Sequence, residues 1–189
     1  MSDQQPDGFQ PSPAPGGDNT ASYNKRFLAW VIDVFFIAIM LMFFMRFLGI
    51  DAGQAADMQT AQAELVKKLE ALSDSQKMLL TFSPIISFFL LHGYLLYQYG
   101  QTIGKKIMGI AIVTLDNRKP AFFPLIGQRY FSQWLMGMLP FVGVPLRLLD
   151  VLLIFRGDKR CLHDLIARTK VIDLSIKVAS TSAPNNFVA

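Results

Sequence analysis

The sequence predicts an all-α integral membrane fold. We read a small multipass bundle of two full spans plus a Pro-broken hairpin, with an extramembrane amphipathic helix and a short interfacial β-like connector. Three observations carry this. The 189 residues are 52% hydrophobic and only 17% charged, with 16 Phe and a mean hydropathy of +0.34, which is too apolar for one ordinary soluble core. The apolar residues gather in runs near bilayer length, about 20 residues each. Proline and glycine then interrupt the last run near its middle, at Pro140, Gly143 and Pro145. That composition excludes a fibrous or globally disordered chain. With a net charge of +4, the basic excess is explained by the positive-inside bias of membrane proteins rather than by nucleic acid.

Residues 1–22 are rich in Gln, Pro and Gly and read as a disordered tail. They lack the basic, apolar and small-residue order of a secretory signal. The first span covers about 27–47, interrupted by Asp33 and flanked by Lys25, Arg26 and Arg46. Residues 55–77 are polar and Ala-rich, with Met58, Ala61, Leu65, Leu69 and Leu72 at helical spacing, so an external amphipathic helix is expected. The second span covers about 78–99 and ends in Tyr94, Tyr97 and Tyr99, residues suited to a membrane interface. A basic connector follows, and the β-branched stretch 107–115 inside it reads as a short strand or interfacial segment. Residues 121–139 and 141–155 form the hairpin, because proline within a helix removes a hydrogen bond and clashes with the preceding turn. The membrane domain is thus 23–173, followed by a flexible tail at 174–189.

Charge assigns the sides. The loop after the first span holds Lys67, Lys68 and Lys77 against five acidic residues, whereas the connector carries Lys105, Lys106, Arg118 and Lys119, and six basic residues follow Phe155. The connector and both termini are therefore expected in the cytoplasm, of a bacterial inner membrane. With both ends on that side, Asp33, His92, Arg129 and Asp150 come to one depth, roughly 10 Å inside the same face.

Arg26 and Asp33 lie seven residues apart, close to two helical turns, so they project from one face. The connector reads Gln101-Thr102-Ile103-Gly104-Lys105-Lys106-Ile107-Met108-Gly109, and Asp150 precedes a late Leu162-His163-Asp164-Leu165. Together these segments resemble the RDD family of membrane proteins, over about residues 20–173. By that resemblance Arg26, Asp33 and Asp150 fill the family's Arg and two Asp signature, and Gly104, Lys105 and Gly109 fill its connector motif. The 51–77 stretch is the least typical of the family, and its role is left open. The resemblance implies a multipass membrane protein of poorly defined role for which transport is commonly suspected.

An ionised carboxylate in hydrocarbon costs several kcal/mol unless it meets water, a cation or a donor, which makes Asp33 and Asp150 the expected polar centre. His92, Arg129 and Arg147 support it. The competing reading is an interhelical pin, with Asp33 or Asp150 holding Arg129 or Arg147 and nothing more. Arg147 and Asp150, three apart, can also neutralise each other locally. His92 is either a proton relay or a packing histidine.

Other chemistries fail on spacing. Gly100 to Lys106 lacks the residue count and the Ser/Thr of a phosphate loop, and fits instead a turn beside anionic lipid headgroups. Cys161 and His163 fall short of a zinc motif, so neither metal nor cofactor is expected; His163-Asp164 reads as a cap or anchor. Two Asp at one depth suggest an intramembrane protease, but neighbouring arginines would keep both ionised. The expected function is non-enzymatic: a small-solute or ion transporter, possibly proton- or cation-coupled, working as a homo-oligomer or with a partner membrane protein. The alternative is a non-catalytic scaffold or assembly factor. The sequence gives no sign of a nucleic-acid partner.

Overall fold

The computed structural model describes residues 19–50 and 57–176. The remainder of both expected tails and residues 51–56 lie outside the described residues. The first helix, α1, runs over Tyr23–Phe47, starting four residues before the expected span. Ser22 supplies the reason, since its side chain accepts from the Lys25 N–H and caps the free amides of the first turn. α1 is about 38 Å long, more than the roughly 30 Å of a hydrocarbon core. Only Ala29 and Asp33 of its 25 residues are buried, while Phe35, Phe43 and Phe47 are exposed. A core helix of a soluble protein buries its apolar face. Here the small and polar residues face inward and the phenylalanines outward, as a lipid environment requires.

α2 spans Met58–Glu70 and α3 spans Asp74–Tyr99. The amphipathic segment is therefore shorter than expected, and its last turn belongs to the second long helix. A reciprocal pair makes that boundary: the Gln76 N–H donates to Ser73 Oγ, and the Ser73 N–H donates to Gln76 Oε1. α3 ends at Gly100, whose φ of 63° and whose approach to the Ile112 carbonyl leave no room for a Cβ. α1 and α3 are long and apolar enough to cross a membrane. They pack together with the N-terminal end of one beside the C-terminal end of the other.

A one-turn helix, α4 (Ile103–Ile107), leads into strand β1 (Ile110–Thr114). The β-like connector is thus a true strand, and its partner is β2, Thr169–Asp173. The pairing is antiparallel, from Ile110 opposite Asp173 to Thr114 opposite Thr169. The N-terminal segment joins it: Thr20 bridges Ile172, and the Ala21 N–H donates to the Val171 carbonyl at 2.9 Å. Asn19 and Ala21, which composition places in the tail, are buried here, and Leu174 is tied to the Gly109 carbonyl.

Between the strands the chain forms the broken hairpin. A continuous helical arm covers residues 122–138: α5 (Phe122–Pro124), a π-helical turn (Leu125–Tyr130) and α6 (Phe131–Met138). The chain reverses through Phe141, at φ 63°, into α7 (Gly143–Leu152) and a 3₁₀ turn (Leu153–Phe155). At Gly143 an added Cβ would lie 2.3 Å from the Met136 carbonyl oxygen, so only glycine lets the arms meet this closely. A last short helix, α8 (Leu162–Ile166), precedes β2. The apolar core includes Ala29, Phe88, Leu96, Ile110, Ile112, Leu125, Tyr130 and Val171, where the sheet meets the helix ends.

Candidate functional site

Asp33 projects from α1 onto the start of α4. Its Oδ2 accepts from the Thr102 hydroxyl at 2.5 Å, and its Oδ1 accepts from the Gly104 N–H at 2.7 Å. Gly104 is needed for this approach, because a Cβ there would lie 2.0 Å from the Ala29 carbonyl oxygen. The connector motif thus acts as a carboxylate clamp built from one hydroxyl, one backbone amide and one residue without a side chain. Two bases complete the surroundings. His92 Nε2 stands 3.9 Å from Asp33 Oδ1, and Lys105 Nζ stands 4.0 Å from Oδ2. His92 Nδ1 accepts from the Ile103 N–H at 3.3 Å. Burial lowers the Lys105 ammonium to about 8, with Asp33 pulling the other way. Gly109, at φ 66°, turns the chain from α4 into β1.

The signature arginine does not meet Asp33. Arg26 donates to Asp164 Oδ2 at 2.6 Å and also to the Lys159 carbonyl. Arg129 donates to Asp164 Oδ1 and, at 2.8 Å, to Thr169 Oγ1. Asp164 is fully buried and further accepts from the Cys161 N–H. Burial would raise its pKa, but Arg129, His163 and Arg26 override this and hold it well below the usual carboxylate range. The Cys161 thiol is pushed up to about 11, chiefly by burial, so it is no nucleophile.

Cys161, His163 and Asp164 bring potential ligand atoms within 4.8 Å of one another. With two guanidinium groups on that carboxylate and an un-ionised thiol, the trio is a poor cation site.

Asp150 holds the third knot. It accepts from the His163 N–H at 2.9 Å, and His163 Nδ1 lies 2.8 Å from both of its oxygens. Arg147 does not neutralise it locally; instead Arg147 donates to the Gln133 carbonyl at 3.0 Å. The reason is directional. Asp150 turns toward the free, buried amide of His163 at the start of α8, while Arg147 lies across Gly137 on the facing arm. The expected pins from Asp33 or Asp150 to Arg129 or Arg147 are therefore absent among the described residues. Asp164, which the sequence gives as part of a cap or anchor, caps α8 and is also the acceptor for both Arg26 and Arg129.

Near this level the helices carry polar atoms without a hydrogen-bond partner among the described residues: Ser87 Oγ, His92 Nε2 and Tyr130 Oη. All three residues are buried. The Phe88 ring touches both His92 and Tyr130, at centroid distances of 5.2 and 4.7 Å, so these groups share one stretch of helix interior.

The RDD family model matches residues 20–168 of this chain. The chain is also similar to the uncharacterized protein YxaI of Bacillus subtilis (strain 168), 27% identical over 159 residues, or 82% of this chain and 98% of the relative. No solved structure matches.

Proposed function

We propose, proceeding from the fact that this chain belongs to the RDD family, that it is a small-solute or ion transporter, or the membrane subunit of one, with Asp33 as its polar centre. The observation that carries this reading is the set of unpartnered buried atoms, Ser87 Oγ, His92 Nε2 and Tyr130 Oη, in the same helix interior as a carboxylate flanked by His92 and Lys105. Buried polar groups are nearly always satisfied, and groups that the fold leaves open in a membrane helix layer suit water, a proton or a small ion. Lys105 and His92 set the charge beside Asp33, whereas Arg26, Arg129 and Asp150 fasten the surrounding chain. Two long helices and a short hairpin enclose little volume, so a second copy or a partner membrane protein completes the path. The protein sits in a bacterial inner membrane with both termini cytoplasmic and catalyses no reaction. The exposed Tyr94 and Tyr97, with Lys119 over the Tyr97 ring and Lys106 over that of Tyr99, suit a boundary with anionic headgroups.

One observation favours the scaffold reading. Both Asp33 oxygens already accept from the connector, as a purely structural fastening would have them. Reconstitution separates the two. Ion or solute flux through wild-type proteoliposomes, lost in Asp33→Asn while the variant remains folded, supports transport. No flux, with a stoichiometric partner retained in a mild-detergent pull-down, supports the scaffold.

A further inference from the structure

α2 has the composition of a helix that covers something and the exposure of one that covers nothing. Met58, Ala61, Leu65 and Leu69 line one side, yet none of its 13 residues is buried. A 13-residue helix is marginal on its own in water and depends on an apolar partner for that face. Beside it, where the chain turns into α3, lies an open crease of about 360 Å³, within the size range of small-molecule sites. Val66, Leu69, Leu72 and Leu80 supply its apolar lining, and Glu70 and Lys77 its charged groups.

We infer that this crease is a lipid site for an amine-bearing zwitterionic phospholipid, with an acyl chain along Val66, Leu69, Leu72 and Leu80, the phosphate at Lys77 and the headgroup amine at Glu70. Two observations select this occupant. The crease is floored by Leu80 and Thr81 of α3, a helix long and apolar enough to cross a membrane, so it opens at the end of that span, within reach of a bilayer lipid. The charged residues in the lining are one acid and one base, and α2 as a whole balances Glu64 and Glu70 against Lys67 and Lys68. A purely anionic headgroup would leave Glu70 opposed, whereas a phosphate joined to an ammonium answers both charges. The role so assigned to α2 is independent of the transport reading.

The test uses the full chain, delipidated in mild detergent and offered equal amounts of phosphatidylethanolamine and phosphatidylglycerol, with bound lipid read by native mass spectrometry. Phosphatidylethanolamine should exceed phosphatidylglycerol by about threefold, the effect of one exposed ion pair. Glu70→Gln should bring the ratio near one, and Leu80→Gln should lower retention of both lipids. Glu64→Gln, on the side of α2 away from Val66, Leu69 and Glu70, should keep the wild-type ratio and so controls for folding. A phosphatidylethanolamine with a photoreactive acyl chain should crosslink within residues 66–81. Equal binding of both lipids to wild type, a preference that survives Glu70→Gln, crosslinks confined to other segments, or a dimer that protects the crease in the absence of lipid would each overturn the assignment.

Discussion

Asp164 carries two guanidinium groups on one carboxylate, in a place where none of the three charges can be rehydrated cheaply. Removing one member of a buried pair leaves the other uncompensated, at a cost of about 3–5 kcal/mol. Asp164→Asn should therefore lower stability in detergent by that amount, because Arg26 and Arg129 lose their shared acceptor and Arg129 keeps only Thr169. Asp33→Asn should cost less, since an amide oxygen can still accept from Thr102 or Gly104. Denaturation midpoints of the two variants decide the matter, and equal loss in both would sink the distinction drawn between latch and polar centre. Part of this was legible beforehand. The seven-residue spacing correctly puts Arg26 and Asp33 on one helix face, but the same spacing separates them by about 10 Å along the axis. Each then needs its own partner, and a partner 138 positions away leaves no local trace.

At the scale of elements, the short helix α8 is held at its start by Asp150, and this makes a pH-sensitive joint. His163 is buried, and burial first and Arg129 second lower its pKa from the ordinary 6.5, against the pull of Asp150. The folded chain thus resists a proton that the unfolded chain accepts. Stability from this group is complete above about pH 6.5 and is lost as pH falls through the lower folded value, with a slope of at most about 1.4 kcal/mol per pH unit. In His163→Gln the slope between pH 6.5 and 5 should flatten relative to wild type, while an unchanged slope in thermal melts would assign the acid sensitivity elsewhere. The same region shows why some elements could not be read ahead. Helices α1 and α3 announce themselves by length and apolarity within one window, and the hairpin break by its prolines. Strand β2 is five residues whose reason to be extended lies in β1, more than fifty positions earlier, and a lone short strand has no stability to signal.

For the whole molecule, the small sheet constrains topology more tightly than charge counting does. The segment before α1, the connector after α3 and the stretch after the hairpin are joined by backbone hydrogen bonds, so they must lie on one side of any membrane that α1 and α3 cross. An even number of crossings must then separate them, as α1 with α3 gives for the first pair and a hairpin that enters and returns would give for the second. α2 lies at the far ends of both long helices and belongs to the other side. In a Cys161→Ser background, an impermeant maleimide applied to intact cells should label Gln59→Cys and Ser75→Cys, and should reach Asp116→Cys and Ile176→Cys only after permeabilisation. Asp116 and Ile176 both labelled from outside, with Gln59 and Ser75 protected, would reverse the orientation that the basic residues favour yet leave the sheet intact. Asp116 and Ile176 on opposite sides would break the pairing of β1 with β2 itself, because no membrane can pass between two strands that share hydrogen bonds.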